Sequence, residues 1–198
     1  HTTAGAVKSC VVANNRLYLQ VFRNSQYLLE EWRDDCWTDS SVIATNATPQ
    51  TTWGGLSHLN GLTVAVVGDG IPQSPRTVSG GSVTIASAST SVQIGLPYTH
   101  TITPLPINMT AAPLDAQKVR LVRLTLKLQD TGSVKLDTGK GVQTVPLKNT
   151  TAPQTYSGDL IITGYGWHDH TSDPLFNIQD DTPRAFKLLS ITTQAQVN

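Results

Sequence analysis

The chain has 198 residues, of which 38% are hydrophobic and 14% charged, and its formal net charge is zero. Neutrality excludes a domain-wide electrostatic grip on nucleic acid, which needs a basic excess, and a low-charge, Thr-, Ser-, Gly- and Pro-rich composition is unlike a disordered acidic segment or a helical enzyme. A chain of this size buries roughly 70% of its unfolded surface, so its fold needs no disulfide staples.

From the N-terminus, residues 6–33 read as a three-stranded meander. Its runs are Val7 to Val12, Arg16 to Arg23 and Gln26 to Trp32, joined by Asn14-Asn15 and Asn24-Ser25. Asn favours tight hairpin turns because it tolerates positive φ. In the middle run Leu17, Leu19 and Val21 share a face opposite Tyr18, Gln20 and Phe22. So few strands leave their apolar face wet, which predicts that the meander packs on something else. Cys10 and Cys36 match no metal or redox spacing; they are read as two partly buried free thiols, with one bridge as the alternative. The chain opens at His1 without an initiator Met or a signal peptide, so it is read as processed, a fragment, or the ordered portion of something longer.

The Asp34 to Ser41 stretch breaks the alternation, and the Thr/Asn/Pro-rich text that follows reads as a connector over 37–52, with Trp37 and Trp53 as anchors. Residues 53–107 read as a small β module. Its runs are Leu62 to Val67, Arg76 to Val78, Ser82 to Ile85 and Val92 to Ile94, separated by Gly68-Asp69-Gly70, two prolines, Ser79-Gly80-Gly81 and Ser/Ala joints. Pro72 and Pro75 restrict their segment to a loop or a sheet edge.

Residues 108–198 read as a second β module. A single helical turn is expected at 111–117. Lys118 to Gln129 is the longest strand candidate, with Leu124, Leu126 and Leu128 on one face. Val119 and Leu121 are out of phase with them, which predicts a β-bulge near Val122-Arg123. Shorter runs follow to Ile191, with no internal repeat. The fold class is all-β, a meander followed by antiparallel barrel or sandwich modules.

Candidate chemistry is sparse. Trp167-His168-Asp169-His170, after Gly164-Tyr165-Gly166, is the most site-like cluster. His-x-His on a strand sets two imidazoles on one face, as a metal would need, but no third ligand is evident. The plainer reading is a polar hairpin tip closed by Trp167; Tyr165, Trp167, His168 and His170 also form a candidate ligand-binding loop, of the sort that holds a sugar. Asp34-Asp35 and Asp180-Asp181 lack the alternating oxygen spacing of a Ca²⁺ loop. Ser57-His58 lacks a nucleophile elbow, and the Gly-x-Gly pieces lack phosphate-loop spacing. No cofactor or metal site is read, and no catalytic residue. Neutrality still leaves room for a local basic patch among Arg16, Arg23, Lys118, Arg120, Arg123 and Lys127.

The order of segments carries more. Val7-Lys8-Ser9-Cys10-Val11-Val12, Leu17-Tyr18-Leu19-Gln20-Val21, Leu56-Ser57-His58-Leu59-Asn60-Gly61-Leu62, Gly68-Asp69-Gly70, Ile94-Gly95-Leu96-Pro97-Tyr98 and Leu124 to Asp130 together resemble the C-terminal region of tail nozzle proteins of short-tailed bacteriophages. These are also called tail tubular protein B or tail hub proteins. The resemblance spans nearly the whole chain; Asn60 departs from it, since an acidic residue is common there. It implies a non-enzymatic virion protein that assembles in the host cytoplasm as a homo-hexameric ring. Its partners would be an adaptor ring and other tail proteins, and it would touch passing double-stranded DNA non-specifically. On this model residues 1–36 end a propeller-like body; Gly61, Gly70, Gly95 and Pro97 make turns, and Trp37 and Trp53 pack domains. A carbohydrate- or receptor-binding β module is the alternative.

Overall fold

The computed structural model describes residues 5–106, 118–148, 152–169 and 174–197. The helical turn expected at 111–117 lies outside the described residues. The chain is all-β and divides into two compact units, His1–Tyr98 and Thr99–Asn198.

The first unit opens with β1 (Ala6–Ala13), β2 (Arg16–Arg23) and β3 (Gln26–Glu31), an antiparallel meander in that order. Both hairpin turns have two successive residues at positive φ: Asn14 and Asn15 at 50° and 59°, Asn24 and Ser25 at 49° and 61°. This is the type I′ geometry whose twist matches the flanking strands.

A second sheet holds β4 (Asp39–Trp53), β5 (Thr63–Gly68), β6 (Ile71–Thr77) and β7 (Val83–Leu96) in the order β4-β7-β5-β6. Most of the expected connector, 37–52, is therefore strand. Thr, Val and Ile suit an edge strand, and Pro49 falls where the β4–β7 register slips between Thr45 and Gln50, so its missing N–H breaks no ladder bond. Ser82 to Ile85 and Val92 to Ile94, expected as two strands, are the ends of the single long β7. β6, which contains Pro72 and Pro75, is the opposite edge of the sheet. Val83 and Ile85 from one end of β7 and Val92, Ile94 and Leu96 from the other share one buried cluster with Trp53, Leu56, Leu59, Val64, Val66 and Val78. A sheet whose two long strands slip register can wrap a core of its own in this way.

The second unit is a two-sheet sandwich. One sheet runs β11 (Val142–Thr144), β10 (Lys135–Asp137), β14 (Asn177–Asp180), β8 (His100–Ile102). His100 to Ile102, expected at the end of the 53–107 module, thus belongs with the later strands. The other sheet centres on β9 (Lys118–Thr131), with β15 (Leu188–Val197) along one side and β12 (Tyr156–Thr163) followed by β13 (Trp167–Asp169) along the other. Gln194 pairs with Arg123 and Ala195 with Leu121, so Val122 is the extra residue of a bulge. That slip brings Val119 and Leu121 into phase with Leu124, Leu126 and Leu128, and all five are at most 2% exposed. Across from them the first sheet contributes Leu136 and Ile178. Among the described residues neither unit closes into a barrel; the modules are open, sandwich-like sheets.

Candidate functional site

The piece Leu56 to Leu62 forms a corner of the first unit. Ser57–Leu59 is a single 3₁₀ turn, and Leu56 and Leu59 are fully buried. The corner is tied to the β6–β7 connection at both ends: Leu56 N donates to Gly81 O at 3.0 Å, Gly61 N to Val78 O at 2.9 Å, and Gly81 N to Asn60 Oδ1 at 3.3 Å. Gly61 sits at φ +80°, a conformation that side-chain-bearing residues seldom take. His58 Nε2 lies 3.1 Å from Ser40 O on β4, so this imidazole is spent on the framework.

Gly70 (φ +77°) follows Asp69 (φ +49°) in the β5–β6 turn. The Asp69 carboxylate accepts from Thr90 N, Thr90 Oγ1 and Ser91 N. Those donors hold its pKa below the ordinary carboxylate value, the Ser91 amide contributing most. Gly95, expected in a turn, instead lies within β7. A Cβ there would stand 2.5 Å from Asp39 O and 2.9 Å from Ser41 Cα, so the glycine permits close strand approach. Pro97 is exposed just beyond β7. Trp53 is 4% exposed within the core of its own unit. Trp37 is half-buried, and its backbone N–H donates to Gln93 Oε1 at 2.7 Å. Cys10 and Cys36 are free thiols; Cys10 is exposed on β1 rather than partly buried, because β1 is an uncovered edge.

Sequence reasoning missed the buried ionic joint of this unit. The Arg23 guanidinium, on a side chain only 4% exposed, donates to Glu30 at 2.7 Å and to Asp39 at 3.2 Å. Leu17, Leu19, Val21 and Arg23 alternate along one face of β2, so the cation could have been read as the polar end of an inward face. Beside this joint a cleft of about 690 Å³ is lined by Leu28, Trp32, Asp39, Ile43, His58 and Tyr98, among others. Its carboxylates are engaged internally: Glu31 with Arg16, Glu30 and Asp39 with Arg23, and Asp34 as acceptor for Trp32 Nε1. The arrangement braces backbone segments and presents no nucleophile–base pair.

In the second unit Trp167-His168-Asp169 is a strand paired with Lys118 to Arg120, not a hairpin tip. The backbone of His168 stands opposite Val119; His170 lies outside the described residues. Tyr165 and Trp167 part company, which corrects the shared sugar platform. Tyr165 packs against the core, its hydroxyl is buried, and burial pushes its pKa up to about 12. Trp167 is 41% exposed, with the Arg120 guanidinium 5.1 Å from its ring centroid. Their separation follows from the Gly164–Gly166 interruption between β12 and β13, where three residues face two on β9.

Asp180, 1% exposed, was also underrated. Its Oδ1 accepts from Thr182 N at 2.8 Å and lies 3.8 Å from Lys135 Nζ; Lys135 also pairs with Asp181. His100, the cross-strand neighbour of Asp180, stacks on Phe186 with ring centroids 4.5 Å apart, and burial lowers its pKa. Among the described residues no group of three or more His, Cys, Asp or Glu side chains is placed to hold a metal ion, and no helix is long and apolar enough to cross a membrane. Comparison with protein-family models and with curated proteins finds no match to this chain.

Proposed function

We propose that this protein is a structural, non-enzymatic component of the tail of a short-tailed bacteriophage, part of a nozzle or hub ring through which the genome leaves. The single observation that carries the reading is the open-edged meander at the head of a chain whose segment order resembles that family. β1 and β3 are both free edges of their sheet among the described residues. On them Val7, Val11, Val12, Tyr27 and Leu29 are 51%, 58%, 69%, 66% and 75% exposed. Free edges that carry apolar side chains template pairing with another chain unless a partner covers them.

Two different edges on one small sheet suit head-to-tail association, in which β1 of one copy meets β3 of the next. Such heterologous contacts give a closed ring when the rotation closes. The family resemblance sets the expected order at six, with an adaptor ring and other tail proteins as neighbours. The pieces that carry the resemblance, the 56–62 corner and the Gly95 crossing, are braces. Stiffness is what a channel wall needs, and contact with passing double-stranded DNA would be non-specific. Mass measurement of the purified protein at micromolar concentration tests the proposal: a ring of about six copies is expected, and a monomer that is also absent from virions would end it.

A further inference from the structure

Of the six basic residues that could have clustered, the fold uses Arg16 and Arg23 in ion pairs within the first unit. The other four, Lys118, Arg120, Arg123 and Lys127, lie on β9. The leucines of β9 fill the core, so the intervening residues face outward. Lys118, Arg123 and Lys127 are exposed, and the bulge at Val122 keeps both halves of the row on the same side. Arg123 and Lys127 have no ion pair among the described residues. Alternate positions on a strand are roughly 7 Å apart, so the row is a ladder of separate cations. The register partners of Lys127 and Lys118 are Asp159 and Asp169.

The strands on either side supply a different chemistry. On β15, Gln196, Gln194 and Thr192 are the register partners of Arg120, Arg123 and Thr125; on β12, Thr163 faces Arg123. Arg120 donates to Gln196 Oε1 at 2.8 Å while stacking on Trp167, so the indole and the guanidinium hold each other in place. Trp167 and Ile161, 41% and 56% exposed, are apolar spots on this face, and Leu189 in the β15 bulge is 57% exposed.

We propose that the outer face of the β12–β9–β15 sheet binds an acidic polysaccharide chain. Sugar carboxylates would take the Arg and Lys ladder, with Arg123 able to bind one in bidentate fashion. Sugar hydroxyls would take the Gln and Thr side chains, and ring C–H faces would lie on Trp167 and Ile161. A single-stranded nucleic acid fits less well, because sequence-tolerant binding of that kind uses several stacking aromatics, and among the described residues Trp167 is the large exposed aromatic of this sheet. A duplex gains little from a chain of zero net charge. This site does not depend on ring formation.

The test is titration calorimetry at low salt with oligogalacturonate and oligosialic acid, beside a neutral malto-oligosaccharide and a short DNA duplex. The proposal expects at least one acidic oligosaccharide to bind and the neutral one to bind at least tenfold more weakly. R123A/K127A should weaken acidic-glycan binding by about tenfold or more with its urea midpoint unchanged, and W167A should weaken it by several-fold. R123Q/K127Q should reproduce the loss, which separates charge from side-chain packing. Failure of both acidic probes to bind, or binding that survives R123A/K127A, would overturn the proposal. Tighter binding of the DNA duplex, abolished by the same substitutions, would reassign the face to nucleic acid.

Discussion

Arg23 on β2 places its guanidinium 3.2 Å from the carboxylate of Asp39 at the start of β4, and both side chains are nearly sealed from solvent, 4% and 8% exposed. With Glu30 at 2.7 Å the joint ties the meander to the second sheet of the unit. Breaking a buried pair leaves an uncompensated charge, which costs about 3–5 kcal/mol. Arg23→Met and Asp39→Asn are each expected to lower unfolding stability in urea by that order, with the stronger effect in Arg23→Met because two carboxylates, Glu30 and Asp39, lose the guanidinium between them.

Gly95→Ala tests the strand crossing. Its new methyl would meet Asp39 O and Ser41 Cα, both backbone atoms without a rotamer to move. Overpacking of this kind costs about 1–3 kcal/mol. Gly54→Ala is the control, since nothing lies within 4 Å of a Cβ there. The expected result is a lower urea midpoint for Gly95→Ala alone.

His100 gives a pH dependence with a definite sign. Burial lowers its pKa from 6.5, against the opposing pull of Asp180 and Asp181. The unfolded chain therefore binds the proton more readily, so this group's contribution falls as pH drops below 6.5 toward the folded pKa and is constant well above that window. Thermal melts between neutral and mildly acidic pH should show a shallower decline in His100→Gln than in the parent. An equal decline would contradict the assignment.

Tyr165 yields an optical signature. Its hydroxyl is buried and its pKa is raised to about 12. A spectrophotometric alkaline titration should contain a late component near that value, missing in Tyr165→Phe. Loss in the variant of amplitude near the ordinary tyrosine value of 10, with the late component kept, would place the ring in solvent.

Periodicity made the meander and the Val122 bulge legible, because both are written in short-range alternation and in Asn-rich turns. β4 was not, since Thr, Asn and Pro in an edge strand read like a loop until its pairing with β7 is seen. The opposite fates of Tyr165 and Trp167 depend on how many residues face two on β9, which no local pattern encodes. In the first unit Arg23 meets Asp39 across two different sheets, and in the second unit His100 meets Asp180 through β8–β14 pairing; neither meeting is written in a local pattern. As for the candidate sites, the sequence offered the six basic residues but not which of them share a sheet face.

The ring proposal makes a claim about the meander edges. Val11→Lys and Leu29→Lys replace exposed apolar side chains with charge, and surface changes of this sort usually shift stability by no more than about 0.5 kcal/mol. Each is expected to leave the urea midpoint in place while weakening self-association, read as a fall in sedimentation-average mass.

The most direct measurement is the mass of the assembled parent protein, by sedimentation or mass photometry at micromolar concentration, together with its presence in purified virions. The account predicts a closed assembly of about six copies that dissociates on Leu29→Lys. A stable monomer across the concentration range, found in lysate and never in particles, would contradict it.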